Sequence, residues 1–285
     1  MTIPVTKASG ISEEFDIGKL VSSLVRSGAP EDVAWDIAGR VSTQVTHSMH
    51  TRHIFRMAKK LLRQYSRSSG MRYSIKRAIF SLGPTGYPFE KYVARILKAY
   101  GYTVEVNRII KGYCVTHEVD VLATRDDTRC MIECKHHAGS EKPADVKIAL
   151  YVHARFEDIK KAFEISEHRN SHVQEGWLVT NTRCSTDAIK YAECVGLKVL
   201  SWRYPEKMGL EKMIEEKRLY PVTILPAATR NTAQILTSRD IILADEISSM
   251  DEEAFVQASG LDRQTALILK KQAGELCGPA SGPVS

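Results

Sequence analysis

Apolar positions recur with helical spacing through the first part of the chain. Leu20, Val21, Leu24 and Val25 predict a helix beginning near Ile17, and further helices are expected around 30–46, 51–65 and 70–80, with Thr51 as an N-cap. Ahead of them, Val5-Thr6-Lys7, Gly10 and Glu13-Glu14-Phe15-Asp16 read as a β-hairpin leading into the first helix. The segment from Gly86 to Leu97 is again helical, with Glu90 in line with Ala94 and Leu97 beside the apolar Phe89, Val93, Ile96 and Tyr100. Strand-like runs follow at Gly101-Tyr102-Thr103-Val104, at 117–121, at 131–135, at Trp177–Thr182 and at Leu197–Trp202, with helices after the third and fourth runs. Near Pro221 and Pro226 the pattern reads as a linker, and 278–283 reads as a disordered tail.

The two central runs carry the chemistry. His117-Glu118-Val119-Asp120-Val121 and Met131-Ile132-Glu133-Cys134-Lys135 flank Arg125-Asp126-Asp127-Thr128, and an Asp-Asp centre favours a two-residue hairpin loop. That register puts Asp120 directly opposite Glu133, and Lys135 points to the same face because side chains alternate along a strand. Opposed carboxylates repel. Val119, Val121, Ile132 and Cys134 make the other face apolar, and Leu122 and Met131 extend apolar character to the first, so the acids occupy a partly buried face where unpaired charge is expensive. A hard divalent ion such as Mg²⁺ accepts one or two carboxylates and leaves its other positions to water and phosphate oxygens. The arrangement predicts a phosphodiester-cleaving metal site; the plainer alternative is a polar hairpin face with Lys135 as an ion-pair partner.

Charge sharpens the picture at the ends of the chain. The chain has 285 residues, 43% of them hydrophobic, and a net charge of +6, enough for two or three domains with real cores. Residues 38–85 contain no Asp or Glu but ten Lys or Arg, a single-sign stretch suited to phosphate on nucleotide or nucleic acid. Residues 236–277 reverse this, with four basic and eight acidic side chains. No apolar run reaches the roughly 18 residues of a membrane span, the start lacks the form of a signal peptide, and the six cysteines show no C-x-x-C spacing. Together these lead to the expectation of a cytoplasmic, reduced protein.

Asp120 followed by Glu133-Cys134-Lys135 resembles the D…E-x-K signature of the restriction-endonuclease-like superfamily in its Mrr-type branch, and the likeness extends over 84–220: Gly86–Leu97 resembles the first helix and Trp177–Thr182 a later core strand. Residues 3–82 resemble the ATP-cone, a small nucleotide-binding regulatory domain. Lys7, Gly10, Glu13 and Lys19 fall on its N-terminal nucleotide motif, Thr51 on its later hydroxyl contact, and Arg77-Ala78-Ile79-Phe80 on its closing helix. The family pattern Lys-Arg-Asp-Gly is Lys7-Ala8-Ser9-Gly10 here, without the second cation and the acid. Residues between Ile241 and Leu269, including Ser259-Gly260-Leu261, resemble tandem helix-hairpin-helix units; the acidic balance leaves DNA backbone contact and protein contact both open.

The expected fold is therefore multi-domain α/β: an α+β ATP-cone at 1–83, an α/β nuclease core with a mixed central sheet at 84–220, and a linker with an all-α module at 221–285. The resemblance implies a Mg²⁺ (or Mn²⁺) ion held by Asp120, Glu133 and the main-chain carbonyl of Cys134, with Lys135 polarising the attacking water. Glu90 is either a support for the metal or an acid stabilising a helix N-terminus. His117, His136 and His137 are expected to stay off the metal, and Lys147 and Tyr151 to face phosphates or form surface. The implied partners are DNA and ATP or dATP as effector, with a possible homo-oligomer and no membrane. The rivals are a DNA-binding, nucleotide-responsive regulator with an inactive nuclease fold, and an oligomeric nucleotide sensor without DNA contact.

Overall fold

The structure, a computed structural model, describes residues 3–7, 10–83, 85–139, 142–165 and 172–278. It falls into two compact units: Met1–Ala78 with Val222–Ile235 and Ala244–Ser285, and Ile79–Pro221 with Leu236–Leu243. The expected tail at 279–283 and the loop residues Ala8 and Ser9 lie outside the described residues. No described helix is long and apolar enough to cross a membrane.

In the first unit, strands β1 (Pro4–Thr6), β2 (Ser12–Glu14) and β3 (Met49–His50) form a small sheet in the order β2-β1-β3, with β1 antiparallel to β2 and parallel to β3. Helices α1 (Ile17–Arg26), α2 (Glu31–Ser42), α3 (Thr51–Tyr65), α4 (Arg67–Arg72) and α5 (Ile75–Phe80) follow the apolar spacing, and Leu20, Leu24, Ala34, Ile37, Val41, Ile54, Ala58 and Leu62 make one core with Val5. Asp16 caps α1 by accepting from the Lys19 amide at 3.1 Å. Two expectations need correction. Thr51 is the first helical residue of α3, and His50 stands in the cap position without a side-chain bond, because β3 runs straight into the helix. The single helix expected at 70–80 is two, because the chain breaks between α4 and α5 at Tyr73 and Ser74.

The C-terminal segment shares this unit. Helices α11 (Ala244–Ser249), α12 (Glu252–Ser259) and α13 (Arg263–Cys277) are capped by local chemistry: Asp251 accepts from Ala254, Gly260 turns at φ 60° after α12, and Asp262 accepts from Thr265. α13 packs on α4, with Arg67 and Glu275 at 3.3 Å. The stretch around Pro221 and Pro226 is no loose linker: a 3₁₀ turn at Val222–Ile224 is buried along with Leu225, and the Thr223 hydroxyl donates to the Ala78 carbonyl at 2.7 Å. Apolar Val222, Ile224 and Leu225 override the prolines flanking them.

The second unit carries a five-stranded mixed sheet in the order β4 (Thr103–Lys111), β5 (Thr116–Arg125), β6 (Thr128–Lys135), β7 (Glu175–Thr180), β8 (Lys198–Leu200); the first three strands are antiparallel and the last three parallel. Helix α6 (Tyr87–Ala99) packs on β4 to β6, while α7 (Val146–Ile165) and α8 (Thr186–Val195) cover the face bearing Leu122, Met131, Leu178 and Val199. Glu133 meets Arg155 of α7 on this side, whereas on β5 both Val119 and Leu122 join this core, so strict alternation breaks between them, at Asp120 and Val121. Helix α9 (Leu210–Lys217) follows β8, and α10 (Arg230–Ser238) lies farther along the chain. The fully buried Tyr92 of α6 donates to the Leu219 carbonyl at 2.7 Å.

Candidate active site

The turn between β5 and β6 fixes the site. Asp126 and Asp127 both take left-handed φ, 49° and 61°, the conformation of a tight two-residue hairpin whose twist matches the strands. Pairing then runs from Arg125 opposite Thr128 to Val121 opposite Ile132. Asp120 and Glu133 are the next positions in that register, where the ladder opens and the Asp120 carboxylate instead accepts from the Cys134 amide at 2.7 Å. Lys135 is exposed at the end of β6, and Glu90 enters half-buried from the first turn of α6.

These acids crowd one another. Burial, then the charges of Asp120 and Glu118, pushes Glu90 up to about 7. Burial and Asp120 likewise push Glu133 up to about 7, although Arg155 pulls the other way, and burial raises Asp120. Burial raises the Cys134 thiol well above its ordinary value.

Arg155, on α7, is the residue that the sequence reading missed. Its guanidinium pairs with the Glu133 carboxylate and donates to the Glu118 carbonyl, with only 11% of the side chain exposed. Its buried Nε has no partner among the described residues. The available signal was helical spacing: Lys147, Tyr151 and Arg155 fall at successive intervals of four, and the guanidinium lies 5.4 Å from the Tyr151 ring centre. Lys147 and Tyr151 are themselves exposed.

The neighbouring histidines have other partners. His117 Nε2 meets Asp158 at 2.7 Å, and the same carboxylate accepts from the Cys114 and Val115 amides, tying the β4–β5 connection to α7. His136 Nε2 donates to the Ile79 carbonyl at 3.0 Å and stacks near Phe89. His137 exchanges two main-chain bonds with the Asn181 side chain.

Among the described residues no three His, Cys, Asp or Glu side chains form a metal-binding group. The donor set that is present, the Asp120 and Glu133 carboxylates, fits a hard divalent ion that takes one or two carboxylates and keeps water and phosphate ligands.

In the first unit Glu13 joins the two predicted cations, at 2.6 Å from Lys7 and 4.0 Å from Lys19. Val5 pairs with Met49 and Thr6 with His50, so Lys7 and Thr51 occupy the next positions of one parallel register, and Gly10 turns at φ 80°. Arg52, Arg56, Lys60, Arg63 and Arg67 are exposed nearby in sequence on α3 and α4.

Comparison with known proteins decides the family. An uncharacterized protein of Archaeoglobus fulgidus is 36% identical over 186 residues, spanning 65% of this chain and 100% of the relative. The crystal structure of the protein of unknown function AF1548 aligns with a TM-score of 0.60 and 36% identity, over 68% of this chain and 99% of that one. The chain belongs to the AF1548 family. Residues 220–277 match the AF1548-like C-terminal domain, the stretch that resembled helix-hairpin-helix units. Residues 84–202 match the restriction endonuclease domain of Mrr catalytic type. Glu90, Asp120, Glu133, Lys135 and Arg155 of this AF1548-family chain all lie inside the restriction endonuclease match.

Proposed function

We propose that this protein is a Mg²⁺-dependent endodeoxyribonuclease, with Mn²⁺ able to substitute, and that ATP or dATP on its N-terminal lobe regulates access to DNA. The observation that carries the reading is the convergence of half-buried Asp120 and Glu133 on one strand end, inside the restriction endonuclease match. Asp120, Glu133 and the Cys134 carbonyl would hold the ion, which when bound supplies a water of lowered pKa and neutralises phosphate charge. The Lys135 ammonium orients the attacking water and offsets negative charge growing on the phosphorus-bound oxygens. Glu90, which burial beside Asp120 and Glu118 raises to about 7, supports the two acids from the first turn of α6. Exposed Lys147 and Tyr151 supply backbone phosphate contacts. Support for the nucleotide role comes from the Lys7–Glu13–Lys19 cluster and the adjoining Thr51 register.

A second reading, a DNA-binding regulator with an inactive nuclease fold, draws on Arg155 occupying Glu133. One experiment separates them. Wild type and Lys135→Ala are incubated with supercoiled plasmid, linear duplex and single-stranded DNA, with Mg²⁺ or Mn²⁺, with and without ATP. Cleavage by wild type that falls about 100-fold or more in the variant supports the nuclease. Equal cleavage by both proteins, or none under any condition, overturns it.

A further inference from the structure

Glu133 already has a cation. The Arg155 guanidinium grips its carboxylate with one terminal nitrogen and the Glu118 carbonyl with the other, which ties the candidate metal ligand on β6 to the strand that carries Asp120. The grip is buried: Arg155 is 11% exposed and Glu133 18%. It is also incompletely satisfied, because the buried Nε lacks an acceptor among the described residues. A buried guanidinium with an orphaned donor is costly to hold, so this pose is a marginal one that a stronger competitor for Glu133 can end.

We infer that Arg155 is a positioning residue that locks Glu133 in the ion-free protein and must release it for a divalent cation to bind. This rests on the nuclease reading above. One carboxylate cannot satisfy a hydrogen-bonded guanidinium and a hard cation equally, since each seeks the same oxygen lone pairs and the two positive charges repel. The lock lowers ion affinity in the free protein. It favours loading when DNA phosphate oxygens add ligands to the ion, so that cleavage competence follows substrate arrival.

The test uses the full chain without DNA at pH 8, with free Mn²⁺ measured by electron paramagnetic resonance. Arg155→Gln is expected to bind Mn²⁺ about tenfold or more tightly than wild type, Arg155→Lys to fall between, and Glu133→Gln to lose the site. A purely structural arginine moves affinity the other way. If Arg155→Gln does not fold, Arg155→Lys decides, because its ammonium cannot span Glu133 and the Glu118 carbonyl together. Unchanged or weaker binding in the folded variant, with Glu133→Gln still losing the site, overturns the lock and leaves the nuclease reading standing. No Mn²⁺ bound at millimolar concentration by any variant, Arg155→Gln included, overturns the lock, and the cleavage assay decides the nuclease reading separately.

Discussion

Replacing Glu90 with glutamine is expected to stabilise the endonuclease-like unit in EDTA at pH 8 and to leave it nearly unchanged at pH 4. Glu90 titrates at about 7 in the folded protein against an ordinary value of 4.5. The folded protein therefore binds this proton more tightly than the unfolded chain does. Stability contributed by the protonated acid is present at low pH and is lost as the pH rises from 4.5 through about 7. At about 1.36 kcal/mol per pH unit the full difference is roughly 3.4 kcal/mol. Glu90 is only half-buried, and solvent screening brings the expected gain of Glu90→Gln at pH 8 to about 1–2 kcal/mol. Glutamine keeps the shape and removes the charge that faces Asp120 and Glu118. Guanidinium unfolding in EDTA, followed by the fluorescence of Trp177 and Trp202 in a Trp35→Phe background, measures the gain at each pH. An equal gain at both pH values, or none at pH 8, would refute burial beside Asp120 and Glu118 as the cause of the raised Glu90 value.

Two further substitutions test how the site is held. Tyr92→Phe removes the donor to the buried Leu219 carbonyl and is expected to cost about 1–3 kcal/mol in the same unfolding assay, with no pH dependence between 5 and 8; a change below about 0.5 kcal/mol contradicts the accounting. Asp158→Asn turns an amide donor toward one of the groups that now donate to the carboxylate, the Cys114 and Val115 amides and His117, so hydrogen exchange at Cys114 and Val115 should accelerate by about tenfold or more. Exchange at the wild-type rate would show that the β4–β5 connection is held by other contacts.

The sequence by itself determined the central hairpin. Asp126-Asp127 encodes its turn, and the observed register, with Val121 opposite Ile132, follows from that local rule, whereas the expected strict alternation breaks on β5, where Val119 and Leu122 join one core. The apolar spacing likewise located the helices of the first lobe, because amphipathic period is written in neighbouring residues. Only the tertiary structure decided what meets the site. Arg155 lies 22 residues beyond Glu133, and helical spacing gives its face without saying which strand end that face will cover. Nor did the sequence show that the acidic C-terminal helices would share a unit with the basic N-terminal lobe, where Glu275 reaches Arg67 across 208 residues. It misread the Pro221 and Pro226 region as a linker, because proline marks a local break while the burial of Val222, Ile224 and Leu225 depends on partners far along the chain. Local backbone preference is settled by adjacent residues, whereas the pairing of distant charges and apolar faces is settled by packing, which no short window of sequence contains.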